Sequence, residues 1–167
     1  MIRITKEFIR NLSAATITKA VMLLMLVIFL GTVYYINDAE DVPMAKIEKA
    51  LKKDSPIAEL KKRNTRELME YMGVDFSKYD EVLYYKSHEA LNVSELMIVK
   101  VKSKSQLNDV QDAVEARIKE QVDTYVDYGP EQVAMVDNAV VLKRGKYLFY
   151  CVAKDPEKYE EVFRRVI

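Results

Sequence analysis

The chain has 167 residues, with 26 lysines and arginines against 26 aspartates and glutamates, one histidine and one cysteine. The even balance argues against nucleic acid as a partner, which favours a strongly basic domain. A lone cysteine excludes an internal disulfide, and one histidine with one cysteine cannot build a zinc site.

Charge is unevenly distributed. Residues 1–19 carry Arg3, Lys6, Arg10 and Lys19 against Glu7, and residues 20–36 (AVMLLMLVIFLGTVYYI) carry no charge. Residues 37–167 hold 22 basic and 25 acidic side chains, close to neutral at −3. The uncharged run predicts a helix of roughly 26 Å, which Ala14 to Thr18 extend if Lys19 snorkels. Tyr34 and Tyr35 fall where amphipathic rings favour the interface, and Asp38, Glu40 and Asp41 follow. The positive-inside bias then puts the N-terminus in the cytoplasm and residues beyond 37 outside. A cleaved signal peptide shares this grammar. The long apolar core and the lack of a small-x-small site with a plausible mature start after Gly31 favour an uncleaved anchor.

The division expected is a basic cytoplasmic tail (1–19), a transmembrane signal anchor (20–36), a linker (37–42), a helical juxtamembrane segment (43–73) and an extracytoplasmic α+β domain (74–167). In the tail, Ile2, Ile4, Phe8, Ile9 and Leu12 among charges suit either an amphipathic helix on the inner leaflet or a disordered tail. Asp41 is placed to cap a helix entering near Pro43, with Met44, Ile47, Ala50 and Leu51 as its apolar stripe. Ser55-Pro56 breaks it and opens a second helical stretch, buried through Leu60, Leu68, Met69 and Met72 and stopped at Gly73. Asn64-Thr65 with Glu67 can start a separate last helix there.

The period then changes. Tyr79 to Lys86 is rich in aromatic and branched residues, as strands are. In Glu95 to Lys102, Met97, Val99 and Val101 alternate with Lys100 and Lys102, which predicts a half-buried strand with a wet outer face. Ser103 and Gln106 have capping-box spacing. Leu107, Val110, Val114, Ile118, Val122 and Tyr125 mark about five turns of helix with one buried face. Gly129-Pro130 ends it, and a short helix follows to about Asn138. Ala139–Lys143 and Lys146–Ala153 read as a hairpin around Arg144-Gly145. Asp155 and Pro156 open a last helix through Tyr159, Val162, Phe163 and Val166. The expected fold class is α+β: after one transmembrane helix, a four-stranded, mainly antiparallel sheet in the order β-β-α-β-β-α, with helices on one face.

The run from about Glu67 to Ile167 resembles an uncharacterised domain family of Gram-positive bacterial envelope proteins, often lipoproteins. The segments that carry it are GVDFSKYDEVLYY, SELMIVKVKS, AVEARIKEQVDTYVDYGPEQ and AVVLKRGKYLFYCVAKDPEKYEEVF. The resemblance implies an α+β fold and an envelope location, and it implies no activity. This chain lacks the family's lipobox cysteine, so its helix would be the anchor.

No residue pattern marks a catalytic site. Ser87, His88 and Glu89 are adjacent in an extended segment and cannot form a relay, so His88 reads as an exposed turn residue. Cys151, inside a strand, reads as a packing residue. Gly31, Gly73, Gly129 and Gly145 stand singly, so no phosphate loop is present. Asp109, Asp112, Glu115, Glu120 and Asp123 lack EF-hand spacing and read as a solvated face. No cofactor or metal is assigned. Lys46, Lys49, Lys52, Lys53, Lys61, Lys62, Arg63 and Arg66 are candidate contacts to the cytoplasmic membrane or an anionic wall polymer, weighed against plain solvation. Tyr84, Tyr85 and Tyr147 are a candidate ligand face, weighed against the strand preference of tyrosine. The leading expectation is a non-catalytic, membrane-anchored interaction or accessory protein of the bacterial envelope, acting on an unknown envelope protein. The alternatives are a polymer-, lipid- or small-ligand-binding domain, accessory to surface-polymer modification, and an enzyme with an unfamiliar Asp/Glu/Tyr site.

Overall fold

The computed structural model describes residues 14–37 and 39–167. The lead-in of residues 1–13 and the side chains of Tyr34, Tyr35 and Asp38 lie outside the described residues, and with them the expectations placed there. The chain divides into two compact units, Met1–Asp38 and Ala39–Ile167.

In the first unit, α1 spans Ala14–Asn37. Its 18-residue window Thr16–Val33 is exposed throughout, and among the described residues it is the one helix long and apolar enough to cross a membrane. Thr32 fits this helix because its hydroxyl donates to the Ile28 carbonyl at 2.6 Å and the Phe29 carbonyl at 3.0 Å. The Thr32 hydroxyl is thereby not left without a partner on an apolar surface.

The second unit is built on a five-stranded antiparallel sheet. In chain order its elements are α2 (Met44–Asp54), β1 (Lys61–Arg63), α3 (Thr65–Met72), β2 (Glu81–Lys86), β3 (Glu95–Lys100), α4 (Leu107–Tyr125), α5 (Pro130–Asp137), β4 (Val140–Arg144), β5 (Tyr147–Val152) and α6 (Pro156–Val166). The strand order is β1-β2-β3-β5-β4. The register pairs Tyr84 with Met97, Met97 with Tyr150 and Tyr150 with Val141.

Two expectations about the sheet are corrected. The first is the strand count: there are five strands, not four, because Lys61–Arg63 pairs with Tyr84–Lys86 as an edge strand. The second helical stretch expected from Ser55-Pro56 is instead a 3-10 turn at Pro56–Glu59 and this strand, followed by the separate last helix that Asn64-Thr65 could start, α3. Asn64 starts α3 as a capping box, accepting from the Glu67 amide at 2.9 Å while the Glu67 carboxylate accepts from the Asn64 amide at 3.0 Å. Gly73 ends it in the left-handed region at φ 66°, as the sequence suggests.

The second correction concerns β3, which has no wet face. All six of its residues are buried, because β3 is the middle strand and helices cover both sides of the sheet. On one side α2 and α6 bring Ile47, Leu51 and Phe163 against Leu83, Leu96, Ile98 and Phe149. On the other, α3, α4 and α5 bring Leu68, Val110, Val114 and Val136 against Met97, Val99, Leu148 and Tyr150. Each buried Leu, Ile, Val or Phe contributes about 1.5–3 kcal/mol of transfer free energy. Residues 43–60, read as juxtamembrane, thus hold part of the core of this unit.

Three local expectations also change. The hairpin between β4 and β5 turns through Gly145 and Lys146, flanked by the pair Arg144–Tyr147, and Gly145 takes the positive φ of 57°. A positive φ at the first of two turn residues suits a type II′ hairpin. Asp41 does not cap α2, whose cap position is Pro43; its carboxylate lies 2.6 Å from Lys100 Nζ. Asp155 stands at the cap position of α6, but its side chain pairs with Lys158 at 2.8 Å.

Candidate functional site

Sheet parity fixes which polar residues are sealed in. On the α4 side, Glu95 shares its face with Met97 and Val99 and has no exposed surface. Its Oε1 accepts from the Tyr150 hydroxyl at 2.9 Å and from Arg117 Nε at 3.2 Å; its Oε2 accepts from the Tyr84 hydroxyl at 2.8 Å and lies 3.9 Å from Lys86 Nζ. The Tyr71 ring covers both cations, 5.2 Å from Lys86 and 5.3 Å from Arg117. Gln121 accepts from Tyr150 at 3.2 Å. Burial and the neighbouring carboxylate push the Tyr84 and Tyr150 hydroxyls well above the usual phenol range, so they stay donors. Burial lowers the Lys86 ammonium, against the pull of Glu95. Both Glu95 oxygens are engaged and neither meets solvent, so this cluster is a structural hub.

On the opposite side the polar groups lie nearer the rim. Burial raises the Glu48 carboxyl, but bonds from Lys52, Lys62 and Tyr85 outweigh that and hold it at about 2. Lys52 and Lys62 approach it to 2.7 Å, and the Tyr85 hydroxyl donates to it at 2.6 Å. The Asp41 bond raises Lys100 above its usual range, and Asp80 and Glu81 lie 3.5 Å and 3.4 Å from the same ammonium. The Tyr147 hydroxyl accepts from the Val42 amide at 2.9 Å and donates to the Val42 carbonyl at 2.6 Å.

The tyrosines proposed as a ligand face are therefore not one. Tyr85 and Tyr147 pack on the α2 side, Tyr84 packs on the α4 side, and all three are buried with bonded hydroxyls. The reason is that helices close both faces of the sheet. The basic residues separate into two groups. Lys46, Lys49, Lys53, Lys61 and Arg66 are exposed and enter no ion pair among the described residues. Lys52 and Lys62 converge on Glu48, while Arg63 bonds Glu67 at 3.0 Å and the Ser87 carbonyl at 3.4 Å. His88 is exposed, and Cys151 is buried with its thiol pushed up by that burial. Among the described residues no three His, Cys, Asp or Glu side chains are grouped to hold a metal ion.

Two concavities lie at one end of the sheet, where residues 87–94 cross the corner between α4 and α5. Gln132 accepts from the Val93 amide at 3.1 Å, and Gln121 donates to the Val93 carbonyl at 3.5 Å. Gln132 lines two cavities. One, of about 370 Å³, is walled by Leu91, Tyr125, Tyr128, Gly129, Pro130 and Glu131. The other, of about 410 Å³, is more polar and includes Ser87, Asn92, Ser94, Lys154, Lys158 and Tyr159. Tyr125 and Tyr128 lie 5.5 Å apart, and a Cβ on Gly129 would meet Tyr125 Cδ1 at 2.9 Å, so the bare glycine admits that ring. Leu91 and Tyr128, which wall the smaller cavity, are 69% and 63% exposed, so its apolar wall is open to solvent.

Sequence reasoning missed Glu95 and this corner. Glu95 was findable, because it has the parity of Met97 and Val99. The corner had no local signal, because Leu91 lies more than thirty positions before Tyr125.

No curated protein and no solved structure matches the chain. A family match covers residues 53–153, which takes in all five strands with α3, α4 and α5 and bears out the resemblance to an uncharacterised family. The chain belongs to the family described as a domain of unknown function, DUF4358.

Proposed function

We propose that the chain is a single-pass membrane protein of the bacterial envelope that holds its α+β unit outside the cytoplasmic membrane as a non-catalytic interaction module. The observation that carries this reading is α1: an 18-residue apolar window, exposed along its length, precedes a separately compact unit. The excess of positive charge before that window supports an inside N-terminus. The corner formed by Leu91, Tyr125 and Tyr128 is the contact surface in this reading. The test is twofold. Alkaline phosphatase fused after Ile167 should be active in living cells, and crosslinking of the full chain should yield a constant adduct that is lost with Tyr128→Ala. An inactive fusion overturns the placement, and an adduct unchanged by Tyr128→Ala overturns the surface.

A second reading has its own support. Lys46, Lys49, Lys53, Lys61 and Arg66 are exposed cations without ion-pair partners among the described residues, a suitable contact for anionic headgroups or a wall polymer. It predicts salt-sensitive binding of anionic vesicles that Lys49→Glu with Lys53→Glu abolishes; binding unchanged in that variant removes it.

A further inference from the structure

The α4–α5 corner combines two features that together select a ligand chemistry. The first is an open aromatic wall. Tyr128 presents most of its ring to solvent beside Tyr125 and Leu91, around a cavity of about 370 Å³. The second is uncompensated negative charge at the rim. Glu131 lines the cavity and Asp127 adjoins Tyr128 in the chain; both are exposed, and neither enters an ion pair among the described residues. None of the lining residues is basic. Asp123, one turn back on α4, pairs with Lys119 at 3.3 Å, whereas Glu131 at the cavity has no such partner among the described residues.

We infer that this corner binds a cationic side chain, arginine or lysine, presented by a partner protein. An aromatic face attracts a cation through its quadrupole, and a guanidinium can also stack on it. Carboxylates at the edge supply charge and hydrogen-bond acceptors. A purely apolar segment would leave Glu131 beside it without a partner. The inference deepens the interaction-module reading by naming the partner's chemistry, and it holds whichever side of the membrane the unit occupies.

The test uses the full chain in nanodiscs of zwitterionic lipid, with empty nanodiscs as blank, and a fluorescent oligoarginine peptide followed by anisotropy. Saturable binding is expected. Tyr128→Ala should weaken it roughly three- to tenfold, and Tyr128→Phe should retain it, since the ring and not the hydroxyl is used. Glu131→Gln should weaken it at low salt, while Asp112→Asn, elsewhere on α4, should not. Far-UV circular dichroism of each variant confirms that its fold is kept. Absence of binding overturns the inference, as does Tyr128→Ala binding like the native chain. Equal weakening by Asp112→Asn and Glu131→Gln also overturns it, because that result means diffuse charge attraction. A failed phosphatase fusion with intact peptide binding would sink the membrane placement alone.

Discussion

The two faces of the sheet hold polar clusters of the same chemical types in opposite settings. On the α4 face, Glu95 is sealed with Arg117, Tyr84 and Tyr150. On the α2 face, Glu48 and Lys100 gather partners at the margin, several of them exposed. Both clusters neutralise a charge, but with unequal energetic weight. A buried ion whose partner is removed cannot recover its hydration, whereas a marginal one turns to water. The α4 face is therefore the side more sensitive to loss of a charged partner, and the corner with Leu91 and Tyr128 lies at the end of its helix.

The largest effect expected from this difference follows removal of Arg117. Arg117→Met should cost about 3–5 kcal/mol in urea unfolding of the detergent-solubilised chain, because Glu95 is left buried with one charged partner fewer. The cost should shrink when Glu95 is changed to Gln in the same chain, since the orphaned charge is then gone. Equal costs in the two backgrounds would show that the pair is not coupled and break the comparison.

Tyr147 comes next. Its hydroxyl serves both backbone groups of Val42, which is itself buried. Tyr147→Phe leaves a donor and an acceptor unpaired and should cost about 1–3 kcal/mol. Tyr84→Phe should cost less, because Glu95 Oε2 keeps Lys86 nearby. Reversal of that order would place the more costly hydroxyl bonds on the α4 face.

Gly145 sharpens the same side. Its φ of 57° suits glycine, and an added Cβ would meet the Ala39 Cβ at 2.6 Å. Gly145→Ala should cost at least about 1–2 kcal/mol from the left-handed backbone alone. Amide exchange should quicken first at Val42, whose amide bonds the Tyr147 hydroxyl, with Glu95 unaffected.

How much of this was legible depends on how local each signal was. The buried stripe of α4 was readable from Leu107, Val110 and Val114. Its true axis runs on through Arg117 and Gln121, which are buried, rather than through Ile118 and Val122, which are partly open. Polar side chains on that axis hid it, although Val110, Val114, Arg117 and Gln121 follow one another at steps of four, three and four. The edge strand Lys61–Arg63 was illegible for a physical reason. Three charged residues carry no apolar alternation, and lysines on a short edge protect it from pairing with other chains. Lys100 looked like a wet-face residue because burial of both faces depends on α2 and α6, elements far away in sequence. The same holds for the binding corner, which exists only once residues 87–94 lie over α4 and α5.

The smallest effect separates the marginal cluster from the sealed one by pH. Glu48 is held at about 2 by Lys52, Lys62 and Tyr85, below the ordinary glutamate value of about 4.3 in an unfolded chain. A lowered folded value means the unfolded chain binds more protons as pH falls, so stability declines with acid. The Glu48 contribution is complete above about pH 4.3 and is lost progressively towards pH 2. Its size is modest, because the cluster stands near solvent and is screened by salt. Glu48→Gln should therefore flatten the acid limb of the urea midpoint between pH 4.5 and pH 2.5 without altering the midpoint's pH dependence above it. Carbon NMR of the Glu48 carboxyl should show titration near 2 in the native chain and a rise towards the ordinary value in Lys62→Met. A Glu48 carboxyl that titrates normally, with the acid limb unchanged in Glu48→Gln, would mean that the α2-face cluster is held by Tyr85 geometry and not by charge.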